Sequence, residues 1–333
     1  MGAVMKTINY KGQSVTTKNY VEMTDEDRLR LKQEYFTKPP FEDIKNQMKK
    51  INLDGTMNDK ITNYYFKDLM AKVQVKTAKW TVEDLFENIE LLGMFKAKTL
   101  NNKNVFPDTK PEIDNIMTAV RLGGKGYIKK PTKFPVKTVK FILNKYNVNN
   151  NYFDFSCGWG DRLVGALSKN VNYYGTDPNP VLCERLNELN TDWHSVIPTC
   201  SSDVKIYNQG SEVFIPELEN TIGLAFSSPP YFDLEDYVLG NQSWRPGVSY
   251  EDWKNNYLIP TFENIKKYLI KDGYLALNIK NVDNYPIVTD CYDILTSLNF
   301  KYIGVETLEN NNRITPNSLL NTNEGIFIYQ VED

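Results

Sequence analysis

An α/β fold on a mostly parallel sheet is predicted by three observations. From about residue 150 onward, strand-like runs near 151–155, 172–176, 204–207, 222–227 and 273–279 alternate with helical segments. The first run ends in a glycine turn, Asp154-Phe155-Ser156-Cys157-Gly158-Trp159-Gly160, and the fourth ends in a Pro-Pro pair. The last two runs, 301–307 and 325–331, have no helix between them and therefore read as an antiparallel pair.

The segment before the sheet reads as mainly helical. Thr24-Asp25-Glu26-Asp27 and Thr81-Val82-Glu83-Asp84 each place a capping hydroxyl ahead of early acids, the pattern of a helix start. Pro39-Pro40, Gly55 and Pro107 interrupt the helical stretches. A chain of 333 residues, 41% hydrophobic, can hold one large α/β domain and a smaller one. The expected division is a mainly helical region over 1–115, with a role in target recognition, followed by the α/β domain over 116–333.

The net charge of −3 conceals an asymmetry. Residues 1–140 carry 26 Lys and Arg against 17 Asp and Glu, whereas residues 141–333 carry 13 against 25. No acid lies between Asp114 and Asp154, while Arg121, Lys125, Lys129, Lys130, Lys133, Lys137, Lys140 and Lys145 are basic. Gly123-Gly124 and Gly126 in the same stretch let backbone approach a phosphate. Such a run is either a solvated face or a track for a nucleic-acid backbone. Because it abuts the glycine turn it is read as a track, with Lys125, Lys129, Lys130 and Lys133 as candidate contacts.

Cys157, Cys183, Cys200 and Cys291 have no C-x-x-C spacing, so neither a metal site nor a disulfide framework is expected. With no run of 18 apolar residues and no signal-peptide pattern, the expectation is a soluble, cytoplasmic protein.

Strand, glycine turn and helix in succession begin a nucleotide-type site. Gly158 and Gly160 allow close backbone approach, and the helix that starts around Leu163 offers free N–H groups at its amino end. Leu163 stands where a dinucleotide fingerprint would carry a third glycine, so that match is partial. The next strand ends at Asp177, 17 residues after Gly160, and is broken by Pro178 and Pro180. An acid there can accept from both hydroxyls of a ribose. Taken alone, Asp177 also suits a helix N-cap before Pro178.

The fourth strand runs into Ser228-Pro229-Pro230-Tyr231. Two prolines remove two N–H donors and fix two φ angles, leaving the strand end rich in acceptors. The Ser228 hydroxyl and the Pro229 carbonyl can each accept from an exocyclic amino group, and Tyr231 offers a face for an aromatic base. The plainer reading of a Pro-Pro pair after a strand is a stiff turn.

In this order the motifs resemble the S-adenosylmethionine-dependent amino-methyltransferases that methylate adenine at N6 or cytosine at N4 in DNA. The similarity covers roughly residues 120–330. It implies a Rossmann-like class I methyltransferase fold, a seven-stranded, mostly parallel sheet with an antiparallel last strand, and S-adenosylmethionine as cofactor. It further implies that Asp154, Ser156, Cys157, Gly158 and Gly160 surround the methionine part of the cofactor and that Asp177 holds the ribose. Ser211, within Gly210-Ser211-Glu212, falls where such enzymes contact the adenine ring. Phe134, within Lys133-Phe134-Pro135, falls where they close over the methionine end. Ser228, Pro229, Pro230 and Tyr231 would be the catalytic residues.

No covalent intermediate is needed for such chemistry. The sole histidine, His194, lies far from the motifs along the chain, and no cysteine stands beside the turn after the fourth strand, where a ring-carbon methyltransferase would require one. Within the resembled group a leading serine is commoner among cytosine-N4 enzymes, which favours that base over adenine N6. A methyltransferase of RNA or of a protein amide, and a catalytically silent nucleic-acid-binding module, are the rival readings. Only 67 residues separate Gly160 from Ser228, too few for a separate recognition module. Target recognition then falls to the amino-terminal region, to the aromatic-rich loop 232–253 as a lid over a flipped base, or to a partner protein.

Overall fold

The computed structural model describes residues 5–54, 60–100, 103–123, 126–237, 241–282, 285–307 and 325–332. The chain forms two compact units that are interleaved in sequence. One comprises residues 1–39, 67–132 and 235–238, and the other residues 40–66, 133–234 and 239–333. A single boundary between 115 and 116 is therefore not how the contacts divide: the stretch 40–66 packs with the sheet, and a short segment after the fourth strand packs with the amino-terminal residues.

In the larger unit seven strands form one sheet: β1 (Asn151–Asp154), β2 (Asn172–Thr176), β3 (Val204–Tyr207), β4 (Ile222–Ser227), β5 (Leu269–Ile279), β6 (Phe300–Thr307) and β7 (Gly325–Val331). Their order is β6-β7-β5-β4-β1-β2-β3, with β7 antiparallel to both neighbours and the pairs among β1 to β5 parallel. The expected sheet is thus observed, antiparallel tail included. Every residue of β4 is buried, as suits a central strand covered on both faces.

Helices α1 (Val136–Tyr146), α2 (Asp161–Leu167), α3 (Pro180–Val196), α4 (Ile259–Tyr268) and α5 (Ile287–Ser297) surround this sheet. Phe262 and Ile265 of α4 and Cys291 and Leu295 of α5 share one core with Phe153, Leu275 and Leu277. Residues of opposite parity pack together instead, Tyr152 meeting Tyr173 edge-on and Phe226 at a tilt. Gly165 in α2 permits close packing on α1, since a Cβ there would lie 2.4 Å from a Val139 methyl. Among the described residues no helix is long and apolar enough to cross a membrane. All four cysteines are free and buried.

The amino-terminal unit is mainly helical, with Asp25–Phe36, Val82–Glu87, Ile89–Leu100 and Glu112–Gly123 as its helices. Thr24 and Thr81 form capping boxes with Asp27 and Asp84, as their spacing predicts. Not foreseen is the hairpin Lys6–Tyr10 with Gln13–Thr17. Its two-residue turn, Lys11-Gly12, has positive φ at both positions, the turn that matches the twist of the flanking strands. Ile8 and Val15 carry the hairpin onto a core of Leu31, Trp80, Phe86 and Leu92. Glu235–Asp236 pair antiparallel with Gln74–Val75 inside the same unit.

Candidate active site

Parallel strands bring their carboxyl ends to one edge, and the three expected motifs leave the sheet there. Asp154 ends β1, Asp177 follows β2, and Ser228 follows β4. Hydrogen bonds tie them together. The Ser227 hydroxyl donates to Asp154 Oδ1 at 2.7 Å and reaches the Ser156 carbonyl at 3.3 Å. The Cys157 N–H donates to the Thr176 carbonyl, and the Gly158 N–H to Asp177 Oδ2 at 3.2 Å.

Asp154 is fully buried and its acceptor capacity is filled by the protein. Arg162 Nε donates to it at 2.9 Å, the Tyr173 hydroxyl at 2.7 Å, the Ser227 hydroxyl at 2.7 Å and the Ser156 N–H at 3.3 Å. Arg162 also donates to the Ser156 carbonyl. Asp154 therefore anchors the glycine loop from beneath. The Cys157 side chain likewise points into the core, its sulfur packed against Gly175, and burial pushes its thiol well above the usual range. Of the cofactor contacts expected for these two residues, the side chains are committed elsewhere.

The two loop glycines differ. Gly160 has φ +75°, and a Cβ there would lie 3.1 Å from Phe66 and 3.2 Å from Leu186, so packing within the fold demands glycine. Gly158 has φ +55°, yet a Cβ there would meet no atom closer than 3.8 Å. No packing contact within the fold crowds this left-handed glycine, so its bare Cα leaves the backbone approachable by a ligand. Gly160→Ala is expected to cost stability by about 2 kcal/mol, from left-handed geometry plus crowding. Gly158→Ala should cost about 1 kcal/mol and lower ligand affinity more; denaturant unfolding and calorimetry separate the two.

Asp177 is buried and holds two backbone N–H groups, Gly158 on Oδ2 and Asn179 on Oδ1 at 3.0 Å. The N-cap of α3 is Asn179, which accepts from Val181 and Leu182, so Asp177 does not serve as that cap. Two of the roughly four acceptor positions on the carboxylate remain, a number that suits a pair of ribose hydroxyls.

Ser211 is buried and its hydroxyl meets Thr261 Oγ1 at 2.9 Å, while Asn264 of α4 donates to the carbonyls of Ser211 and Glu212. Beside it Glu212 Oε2 is a buried acceptor with no hydrogen-bond partner among the described residues. Tyr257 lies 3.3 Å from the Ser156 hydroxyl. A π-helical turn, Lys254–Leu258, places it there, immediately ahead of Pro260 in α4. Phe134 packs edge-on against Phe226 at 5.4 Å, with the Arg162 guanidinium 5.8 Å from its ring, which puts it beside the glycine loop.

Ser228 and Tyr231 are half-buried at the end of β4. Asn278, near the end of β5, donates to Ser228 Oγ at 2.8 Å and to the Tyr231 hydroxyl at 3.1 Å. The Lys280 ammonium lies 5.7 Å from the centre of the Tyr231 ring. Phe232 follows in left-handed geometry, φ +53°, strained for a bulky side chain and held by rings of Trp244, Tyr250, Trp253 and Tyr285. The aromatic residues expected to form a lid are in large part this packed cluster, with Trp253 and Phe232 both buried.

Of the four lysines of the expected basic track, Lys133 is withdrawn from solvent. The Lys133 side chain is only 14% exposed, its ammonium bonded to Asn63 at 3.0 Å and 3.9 Å from Asp161. Buried pairing, rather than a solvated face, accounts for this lysine. Lys129 and Lys130 are exposed in the amino-terminal unit, and Lys125 lies outside the described residues. Arg162, Tyr173, Ser227, Tyr257 and Asn278 were not singled out from sequence. Ser227 ends one apolar run, 222–226, and Asn278 interrupts another, 275–279, and that is the signal their sequence offers; Arg162, Tyr173 and Tyr257 lie in mixed segments that offer none.

The strand order and the antiparallel seventh strand are those of the Rossmann-like class I fold of S-adenosylmethionine-dependent methyltransferases. No family model and no curated protein matches the sequence. Among solved structures, an rRNA methylase from Streptococcus thermophilus aligns at 13% identity over 61% of this chain and 99% of its own, with a TM-score of 0.40. An S-adenosylmethionine-dependent O-methyltransferase from Thermotoga maritima aligns at 11% over 61% and 67%, with a TM-score of 0.40. A tRNA methyltransferase from Aquifex aeolicus aligns at 12% over 62% and 72%, with a TM-score of 0.37.

Proposed function

We propose that the protein binds S-adenosylmethionine at the carboxyl ends of β1 and β2 and methylates an exocyclic amino group of a nucleic-acid base, cytosine N4 in DNA being favoured. The observation that carries this reading is the joining of Ser228-Pro229-Pro230-Tyr231 to the glycine loop through Ser227, within one hydrogen-bonded edge that also holds Asp177. The residues fit the cofactor: an uncrowded left-handed Gly158, two remaining acceptor positions on Asp177, and on Glu212 an acceptor without a partner among the described residues, available for an amino group. When bound, S-adenosylmethionine supplies an activated methyl group. The chain supplies acceptors and alignment.

An exocyclic amine is a weak nucleophile because its lone pair is delocalised into the ring. Hydrogen bonds from its two N–H groups to Ser228 Oγ and the Pro229 carbonyl would return electron density to nitrogen, and as nitrogen gains the methyl group one of those protons would be lost to solvent. Each such hydrogen bond is worth about 1 kcal/mol net, so most of the acceleration comes from holding the reacting atoms in line. Tyr231 would stack on the base and fix its plane.

Incubation with labelled S-adenosylmethionine and, separately, DNA, RNA and peptide pools, followed by nucleoside and amino-acid analysis, tests this reading. N4-methylcytosine in DNA is the expected product; N6-methyladenine, a methylated RNA base or a methylated amide would reassign the substrate. Absence of cofactor binding would favour a silent nucleic-acid-binding module. Exchange of Lys129 and Lys130 for Glu should weaken nucleic-acid binding and flatten its salt dependence. An unchanged salt slope would remove these two lysines from the interface.

A further inference from the structure

We infer that Asn278 is a positioning residue that sets the amine clamp, an inference that rests on the proposed function. Leu275, Ala276, Leu277 and Ile279 of β5 are fully buried, and Asn278 among them is 1% exposed. An amide in such a place is costly unless it is hydrogen-bonded. The parallel register pairs Ser227 with Leu277, so the next step along both strands sets Ser228 beside Asn278. One planar amide group then bonds the first and the last residue of the tetrapeptide, Ser228 Oγ at 2.8 Å and the Tyr231 hydroxyl at 3.1 Å. The Tyr231 hydroxyl donates in turn to the main-chain carbonyl of Asn278 at 3.2 Å.

The chemical consequence concerns Ser228. A hydroxyl oxygen has two acceptor positions and can turn among three staggered wells. Asn278 fills one position and selects one well, which leaves the second acceptor aimed in a fixed direction for an incoming N–H. By holding the Tyr231 hydroxyl as well, it fixes the ring against which the base would lie. With two prolines stiffening the residues between, both ends of the clamp are set by a single side chain from the neighbouring strand.

The test uses the full chain and a nucleic acid that the wild type methylates. Asn278→Asp preserves shape and replaces the donor by an acceptor; Asn278→Ser, too short to reach both partners, gives the same comparison if the carboxylate variant does not fold. Turnover should fall about tenfold or more with cofactor affinity nearly unchanged. In a background of Ser228→Ala with Tyr231→Phe, the same change at 278 should add less than about threefold, because the groups it acts through are gone. An equal loss in both backgrounds, or a matching loss of cofactor binding, would mean a merely structural role and overturn the inference. A wild type that binds the cofactor but methylates nothing would overturn the proposed function, and this inference with it.

Discussion

Ser228→Ala is expected to lower turnover by about tenfold to a hundredfold while cofactor affinity stays nearly constant. Its hydroxyl is held by Asn278, and among the described residues no hydrogen bond ties it to the glycine loop, so under the proposed function its loss would remove an acceptor from the amine without disturbing that loop. The size follows from one hydrogen bond that strengthens as charge develops on nitrogen, on the order of 1.4–2.7 kcal/mol. Single-turnover methyl transfer and calorimetry with S-adenosylmethionine measure the two quantities. Equal losses in both would contradict the division of labour between β4 and the glycine loop.

Asp177→Ala should act the other way round, weakening the cofactor by about a hundredfold or more. It removes acceptors for two hydroxyls, each charge-assisted bond being worth about 1.5–3 kcal/mol, and strips the Gly158 and Asn179 N–H groups of their partner. Burial raises the Asp177 carboxyl to about 6, against the opposing pull of the Asn179 and Gly158 N–H groups. Above that pH the carboxylate is ionised and wholly an acceptor. As pH falls through about 6 it gains a proton, so cofactor affinity should decline, and Asp177→Asn should abolish that step. Folding responds with the opposite sign. Between the unfolded value of 3.8 and about 6 the native state holds a proton that the unfolded chain has released, so this group's contribution to stability falls as pH rises. Titration calorimetry at pH 5.5 and 7.5 reads the first effect, and urea unfolding over pH 4–7 the second.

Much of the sheet was legible because strands and helices alternate with clear turns, and because β6 and β7 lack a helix between them. The motifs could be placed at one edge because parallel strands share a direction. What sequence could not show is which lone pairs the protein itself consumes. Asp154 looked like a ligand-facing acid and is saturated by Arg162, Tyr173, Ser227 and Ser156. Lys133 looked like one member of a basic run and is bonded to Asn63 and lies near Asp161, from segments distant in sequence. The Lys11-Gly12 hairpin was readable from its turn and its alternation, and was overshadowed by the helical pattern around it.

The pairing of Glu235–Asp236 with Gln74–Val75 bears on how the molecule can be taken apart. Only three residues lie between Tyr231 and that small ladder, and the stretch 40–66 belongs with the sheet although it is flanked by residues that do not. No single cleavage of the polypeptide can free one unit whole. A shortened gene product starting at residue 133 would lack residues 40–66 and leave Glu235–Asp236, which begin four residues after Tyr231, without a pairing strand, so excision of the front end is expected to destabilise what remains rather than yield a minimal version of it.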